Sequence, residues 1–282
     1  MTRLNTALRR DALRCLQGRW GKGIAGMLFL SGVRMIILLL EQFCLTASSL
    51  LEPATLQVPF LGIRISPVQS AVSILFGLLT FLTMVPLLMG VLKWYYRLSD
   101  GPTPDLRTIF DYLSAPRLYC KTLLLGLTII FRTVLFGAVI SLLPAGVWVA
   151  LKMVGSIGNS IAAIGQALLF FLFLVLTVLA AVLTICFSLR YFLAPYYFAE
   201  DEHIPIRQAV CRSVKAMKRM QGQVFGLLLG WTPLWLSCIL VAPLLFAAPY
   251  CSAALAINAR YLMGREIRQS AEPQVTADTI VF

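Results

Sequence analysis

The sequence predicts an all-α polytopic membrane protein with six transmembrane helices and amphipathic helices on its cytoplasmic side. The first observation is composition: the 282 residues are 59% hydrophobic and only 13% charged, whereas about a quarter of the residues are charged in soluble domains. The second is the grouping of the apolar residues into runs. Several of these runs reach the roughly 17 to 25 residues that a helix needs to cross a bilayer.

The six apolar runs define the predicted domain organisation. They cover residues 24–45, 68–92, 122–143, 161–189, 224–241 and 244–262. One transmembrane domain is therefore expected over residues 23–263, with cytoplasmic loops at 93–121 and 199–223. Residues 1–22 are expected to form a basic amphipathic helix, and residues 264–282 a flexible cytoplasmic tail.

The distribution of Lys and Arg predicts the orientation in the membrane. Of the 24 Lys and Arg residues, twenty lie in segments on one side of the apolar runs and two lie in the opposite loops. Short loops rich in Lys and Arg stay in the cytoplasm, so both termini are expected on the cytoplasmic side of the cell membrane. The net charge of +12 then favours anionic phospholipids, which attract each nearby cation by about 1 kcal/mol. Nucleic acid is not an expected partner.

Residues 206–220 form the clearest amphipathic segment. At 100° per residue, the basic side chains share one arc and the apolar side chains share the other. A basic amphipathic helix lies in the membrane interface. This predicts contacts with lipid headgroups from five cations: Arg207, Arg212, Lys215, Lys218 and Arg219. Residues 4–16 show a similar pattern, and residues 105–113 show a weaker one.

Each of these three segments precedes an outward and an inward span. The inward spans also end in related aromatic and basic residues, for example Lys-Trp-Tyr-Tyr-Arg at 93–97. One interpretation is three parallel copies of a helix-plus-hairpin unit. The other interpretation is that every inward span needs aromatic and basic anchors at the interface.

Three charged side chains fall inside the predicted spans: Arg34, Glu41 and Arg132. A charge at the centre of a bilayer costs on the order of 3 kcal/mol on insertion scales and marks a candidate functional site. Under a structural hypothesis, Glu41 pairs with one arginine across the bundle. Under a functional hypothesis, the surplus positive charge receives an anion such as a lipid phosphate.

Enzymatic and metal-binding motifs are absent from the sequence. The seven cysteines are scattered singly and His203 is the only histidine, so no zinc or haem site can be assembled from them. The acidic run at 200–202 beside His203 is interpreted as solvated capping charge rather than a cation site. No catalytic residue, cofactor or metal is therefore predicted.

Much of the chain resembles a family of uncharacterised bacterial integral membrane proteins known as domain of unknown function 975. The resemblance rests on the run Gly-Val-Leu-Lys-Trp-Tyr-Tyr-Arg-Leu-Ser-Asp-Gly at 90–101, on residues 105–112, and on residues 190–201 followed by a basic helix. Residues 7–22 fit as well. The resemblance implies a six-span bundle and supplies no activity. This chain differs from the family pattern in its longer region at 144–161.

These features favour a non-enzymatic integral membrane protein, a lipid-associated scaffold or partner-binding subunit with a membrane protein as its candidate partner. The alternative is a transporter or lipid-translocating protein that uses Arg34, Arg132 and Glu41. An intramembrane lipid enzyme is a more distant alternative. A water-accessible cavity that reaches both arginines would favour transport, whereas a closed bundle would favour the scaffold.

Overall fold

The computed structural model describes residues 2–51, 56–58, 63–101, 103–155, 160–218, 220–232, 234 and 241–271. The helices are α1 Thr2–Leu16, α2 Trp20–Leu51, α3 Pro67–Leu98, α4 Asp111–Ser114, α5 Pro116–Gly155, α6 Ser160–Ser188, α7 Ala194–Glu200, α8 Ile206–Met217, α9 Gln221–Leu229 and α10 Val241–Ala271. Two 3-10 turns, Leu106–Phe110 and Leu189–Tyr191, precede α4 and α7.

Within the described ranges, one short hairpin departs from the all-α prediction. Strand β1, Leu56–Val58, pairs antiparallel with β2, Ile63–Ile65, so that Gln57 lies opposite Arg64. Each strand has only three residues, and the hairpin lies between α2 and α3. The alternation of apolar and polar residues in both strands suits a two-residue period.

Four helical segments of the described chain are long and apolar enough to cross a membrane. They are Trp20–Ser49, Pro67–Leu98, Pro116–Val154 and Ile164–Glu200. Each contains most of one of the first four predicted spans and extends beyond it. These helices indicate a membrane protein, as the composition predicts.

The remaining two predicted spans are not among these four segments. The fifth, 224–241, begins in α9, which ends at Leu229, and it then includes positions 233 and 235–240, which lie outside the described residues. The sixth, 244–262, lies within α10. The first residues of the predicted tail are helical, because α10 continues to Ala271; residues 272–282 lie outside the described part.

The longer region at 144–161 is largely helical. Helix α5 continues through Pro144 to Gly155, which gives it a length of about 60 Å at 1.5 Å per residue. Its last turns pack on α6, where the rings of Trp148 and Phe173 lie 5.2 Å apart. The Nζ of Lys152 lies 5.0 Å from the Trp148 ring. This region is therefore mostly the tip of the α5–α6 hairpin.

The densest packing is found where the spans meet the segments rich in Lys and Arg. We call this part the basic end; it comprises the ends of α3, α6 and α10 with α1, α4, α7 and α8. Its largest fully buried side chains include Trp94, Tyr95, Tyr112, Tyr196 and Phe198. The aromatic residues at the ends of α3 and α6 are thus core residues. Neither the repeat interpretation nor the interfacial-anchor interpretation had predicted this burial.

The two main amphipathic segments form helices, but their apolar arcs contact protein. Helix α1 packs on α10 and buries Leu8, Ala12 and Leu16. Gly18, with φ of 75°, provides the left-handed turn that ends α1 before α2 begins. Helix α8 buries Ala209, Val210 and Met217. The predicted insertion of these arcs into the bilayer is therefore replaced by packing on the basic end.

Candidate functional site

A buried lysine organises the basic end. Lys93 lies in the last two turns of α3, and its side chain is only 2% exposed. Its Nζ lies 2.6 Å from Oδ2 of Asp111 and 2.6 Å from Oε1 of Glu202. Asp111 begins α4, and Glu202 lies in the connection between α7 and α8. The lysine therefore ties α4 and the connection between α7 and α8 to the end of α3.

Tyr112 completes this arrangement, which we call the Lys93 cluster: Lys93, Asp111, Tyr112 and Glu202. The Nζ of Lys93 lies 4.9 Å from the centre of the Tyr112 ring, a favourable cation–π distance. Tyr112 is fully buried, and its hydroxyl has no hydrogen-bond partner among the described residues. Burial, together with the charges of Glu202 and Asp111, raises the pKa of Tyr112, so the phenol stays protonated near neutral pH.

The charge balance of the Lys93 cluster explains how a buried ammonium is tolerated. Two carboxylates face one cation. The side chains of Asp111 and Glu202 are 39% and 28% exposed, so both carboxylates remain in contact with solvent, whereas the lysine does not. Removing one member of such a pair is strongly destabilising because a buried charge is then left uncompensated. The cluster is suited to holding segments in position, and its free carboxylate surface faces outward.

A second polar group surrounds Arg260 of α10. The guanidinium forms an ion pair with Asp100, donates from Nη2 to the Tyr96 carbonyl at 3.0 Å, and lies 4.6 Å from the centre of the Tyr96 ring. These residues line a cavity of about 360 Å³, which we call the Arg260 cavity. Its other lining residues are Arg97, Ala199, Glu200, Met263 and Gly264.

The predicted intramembrane charges are not brought together. Arg34 is half-buried on α2 and donates from Nη1 to Oγ1 of Thr80 on α3 at 2.8 Å. Glu41 is half-buried and Arg132 is exposed, and neither forms an ion pair within the described part of the chain. Glu41 lies seven residues beyond Arg34, about 10 Å along the helix, and Thr80 offers Arg34 a nearer partner.

Arg34 also lines a cavity of about 350 Å³ between α2 and α3. The other lining residues are Leu30, Ser31, Met84, Val85 and Leu88. The wall is therefore mostly apolar with one cation. Arg132 does not belong to this lining, so the cavity does not connect the two arginines in the way that the transport alternative would require.

The predicted lipid-contact residues of α8 point away from the protein. Arg207, Arg212, Lys215 and Lys218 are all exposed, while Arg219 lies outside the described residues. The opposite arc is buried, and Oγ of Ser213 donates to the carbonyl of Arg190 at 2.8 Å. Helix α8 is thus fixed to the basic end by one face and presents its cations on the other.

No group of three or more His, Cys, Asp or Glu side chains is placed to hold a metal ion in the part of the chain that the structure describes. The amide of His203 donates to Oδ1 of Asp201 at 2.9 Å, and Glu202 is committed to Lys93. The acidic run therefore contributes a turn contact and an ion pair.

A comparison with protein families matches residues 1–266 to a family described as "Protein of unknown function (DUF975)". The chain belongs to this family. The match covers nearly all of the described structure, including both ends of the Lys93 cluster and the Arg260 cavity. Searches of curated proteins and of solved structures returned no match. Membership of the DUF975 family therefore agrees with the resemblance in the sequence and assigns no activity.

Sequence reasoning missed the residues that this DUF975 protein places at its most polar buried site. Lys93 had been grouped with interfacial anchors, and Glu202 with solvated capping charge. The available signal was position: Lys93 immediately follows an apolar run and precedes Trp94, Tyr95 and Tyr96. A lysine that follows an apolar run and precedes three aromatic residues at a helix end must either extend its amine to the solvent or find a buried counter-charge.

Proposed function

We propose that this protein is a non-enzymatic membrane protein that binds anionic phospholipids at its cytoplasmic face and acts as a scaffold for a membrane partner. One observation carries the proposal: α8 is attached to the protein by its apolar arc, and it exposes three cations on the other arc, with Lys218 exposed directly after the helix. Its cationic surface is therefore preformed. Anionic headgroups attract such residues at about 1 kcal/mol each when they lie near the membrane surface.

The attachments of α8 support a fixed position for this surface. Glu202 lies four residues before α8 and is held by Lys93. Ser213 in the middle of α8 donates to the carbonyl of Arg190, which lies in the 3-10 turn that follows α6. A preorganised binding surface loses little conformational freedom when a ligand binds. Headgroup binding then orients the whole basic end against the bilayer.

The scaffold part of the proposal is supported by the α5–α6 hairpin. Its large apolar side chains are mostly exposed on the surface of the single chain, among them Phe131, Leu142, Phe170 and Phe171. Such a hairpin has free helix faces that either lipid or a second membrane protein can cover. The hairpin therefore provides the surface on which a membrane partner would pack.

The proposed topology has six spans with both termini in the cytoplasm of the cell membrane. The split of Lys and Arg supports it, and three helix-plus-hairpin units would place one cytoplasmic helix before each pair of spans. A cysteine-free variant with Lys152→Cys should react with an impermeant maleimide from outside. The same background with native Cys211 alone, which is exposed on α8, should react only after the inner face is opened. External labelling of Cys211 would refute the orientation.

The lipid proposal is tested by neutralising the α8 surface. A variant with Arg207, Arg212, Lys215 and Lys218 changed to Gln should copurify with several-fold less phosphatidylglycerol, measured by mass spectrometry as lipid per protein in a neutral detergent. Binding to the native protein should also weaken as salt is raised, because the Debye length falls from about 10 Å at 0.1 M to about 3 Å at 1 M.

The matched control removes the same number of charges from other exposed positions. It carries Gln at Arg10, Lys22, Arg107 and Arg117, which are all exposed. This control should keep most of its phosphatidylglycerol. Equal loss from both variants would show that net charge, rather than the α8 surface, attracts the lipid, and no loss from either would refute the proposal.

The transporter alternative rests on a different observation, the half-buried Arg34 beside a largely apolar cavity. A lipid-translocating protein could receive an anionic amphiphile there. In proteoliposomes, Arg34→Leu should then abolish translocation of a fluorescent anionic lipid, whereas Arg207→Gln should leave it unchanged. Our proposal predicts no protein-dependent translocation by the native chain.

A further inference from the structure

The Arg260 cavity is lined by equal numbers of cationic and anionic side chains, but only one of each is in an ion pair. Two cations and two carboxylates line it: Arg97, Arg260, Asp100 and Glu200. Arg260 and Asp100 neutralise each other in an ion pair. Arg97 and Glu200 form no ion pair or side-chain hydrogen bond among the described residues. Among the described residues, the cavity therefore offers a ligand one cation and one carboxylate that are not in an ion pair.

The elements that carry these two groups are rigidly held. Arg97 is in the last turn of α3, four residues after the buried Lys93, and Glu200 is the last residue of α7, two residues before Glu202. Both neighbours belong to the Lys93 cluster. The side chains of Arg97 and Glu200 are exposed, but their backbone positions are held on two different helices, which favours a ligand whose two charges are separated.

The rest of the wall is apolar. Tyr96, Ala199 and Met263 are all buried beneath the cavity. One face of the Tyr96 ring is already covered by the Arg260 guanidinium, 4.6 Å from the ring centre. Quaternary ammonium groups are recognised by open aromatic faces, and that face is occupied here. A carboxylate such as Glu200 instead selects a cation that can donate hydrogen bonds.

From this arrangement we infer that the Arg260 cavity binds a small zwitterion, with its phosphate or carboxylate on Arg97 and its primary ammonium on Glu200. A volume of about 360 Å³ falls at the lower end of the range for small-molecule sites. A simple anion is disfavoured because Glu200 repels it, and a simple cation because Arg97 does. The ligand is either the headgroup of phosphatidylethanolamine or a free compound of the same chemistry.

Calorimetric titration of the purified full-length protein in a neutral detergent tests this inference. O-phosphoethanolamine should bind at least ten-fold more tightly than inorganic phosphate, ethanolamine or phosphocholine. Each of Arg97→Gln and Glu200→Gln should weaken binding by ten-fold or more, because each removes one of the two charge contacts. The variants should keep the native unfolding temperature within a few degrees, since neither residue is in the Lys93 cluster.

Two further measurements provide a control for the substitutions and distinguish a lipid headgroup from a free ligand. Arg107→Gln and Asp105→Asn change an exposed pair outside the cavity and should bind like the native protein. The lipid source is tested by native mass spectrometry of the protein in nanodiscs that contain phosphatidylethanolamine or phosphatidylcholine. If the native protein retains phosphatidylethanolamine and the Arg97→Gln and Glu200→Gln variants do not, the ligand is the lipid headgroup. Binding of neither the free compound nor the lipid overturns the inference. Equal binding of inorganic phosphate and O-phosphoethanolamine also overturns it, in favour of a plain anion site.

Discussion

The basic end and the α5–α6 hairpin use large apolar side chains in opposite ways. At the basic end, Trp94, Tyr95 and Tyr112 are fully buried, whereas Phe131 and Phe171 in the hairpin are 63% and 68% exposed. The hairpin is the more hydrophobic of the two regions, yet it buries far less. High hydropathy in this chain therefore does not mark buried positions, and side-chain burial is concentrated at the basic end.

The physical reason is the solvent around each region. Between helices in lipid there is no hydrophobic driving force, so association depends on close approach and on specific contacts. The hairpin shows both: Gly137 lies against Thr184, and the rings of Phe136 and Phe187 stack at 3.9 Å. At the basic end, contact with water restores the hydrophobic effect, and ion pairs and hydrogen bonds then fix the arrangement.

The largest effect is expected from Lys93→Met, which removes the cation between two carboxylates. Breaking a buried ion pair costs about 3 to 5 kcal/mol, and the partial exposure of Asp111 and Glu202 favours the lower end of that range. We expect the free energy of unfolding in mixed micelles to fall by about 3 kcal/mol. The control Lys22→Met, at an exposed position, should change it by less than about 0.5 kcal/mol.

A rescue variant distinguishes charge imbalance from lost packing. Adding Asp111→Asn and Glu202→Gln to Lys93→Met removes the carboxylates that were left unpaired. Replacing all members of a buried ionic group is less harmful than removing one, so the triple variant should recover a large part of the lost stability. A triple variant less stable than Lys93→Met would show that these carboxylates stabilise the basic end independently of the lysine.

Gly90→Ala should have the next largest effect, because it tests close backbone approach rather than charge. A Cβ at position 90 would overlap the carbonyl oxygen of Ile109 and lie 2.8 Å from its carbonyl carbon. Backbone atoms cannot move aside as a flexible side chain can, and overpacking costs about 1 to 3 kcal/mol. Limited proteolysis should also cut the 3-10 turn at Leu106–Phe110 faster in this variant.

The control for Gly90 lies in the same helix. A Cβ at Gly77 would meet no other atom within 4 Å, and alanine is favoured over glycine inside a helix by about 0.5 to 1 kcal/mol. Gly77→Ala should therefore be neutral or slightly stabilising. Destabilisation of both variants by similar amounts would mean that the contact with Ile109 is unimportant.

The sequence predicts the local elements of this protein better than its contacts. Apolar runs locate α2, α3, α5 and α6, because length and hydropathy are properties of a single segment. The partner of Lys93 lies 109 residues away at Glu202, and no local pattern encodes such a distance. The same limit explains why the apolar arc of α8 was assigned to lipid. An amphipathic pattern indicates that one arc of a helix is covered, but it does not show whether lipid or protein covers it.

The intramembrane charges illustrate the same limit within the membrane. The structural hypothesis paired Glu41 with one of the two arginines, because all three charges fall inside predicted spans. Which neighbour a side chain meets depends on helix rotation and packing, and Arg34 bonds to Thr80, a residue with no charge to draw attention to it. Polar hydroxyls on adjacent helices are therefore as relevant as carboxylates when such a charge is interpreted.

A smaller effect is expected from removing one buried hydroxyl at the basic end. The Tyr95 hydroxyl donates to the Gly23 carbonyl at 3.0 Å in a buried contact that joins α3 to α2. A hydrogen bond of this kind contributes about 0.5 to 1.5 kcal/mol, so Tyr95→Phe should lower the free energy of unfolding by that amount. Tyr119→Phe, whose hydroxyl makes a partly buried bond to the Leu82 carbonyl at 3.2 Å, should cost less. A larger loss from Tyr119→Phe would reverse the order proposed for the two regions.

The smallest effect should come from Leu135→Ala on the hairpin. This leucine is 55% exposed within the chain, whereas Leu125 in the same helix is fully buried. Truncating Leu135 leaves no cavity, because lipid or detergent fills the space, and we expect a change below about 0.5 kcal/mol. Leu125→Ala removes the same atoms from a packed position and should cost about 2 to 5 kcal/mol. The two variants share helix, residue type and propensity, so their difference in unfolding free energy isolates burial. The two variants could lose the same unfolding free energy in lipid bilayers but different amounts as monomers in detergent. A protein partner would then cover the hairpin in the membrane, and the contrast between the two regions would hold only for the isolated chain.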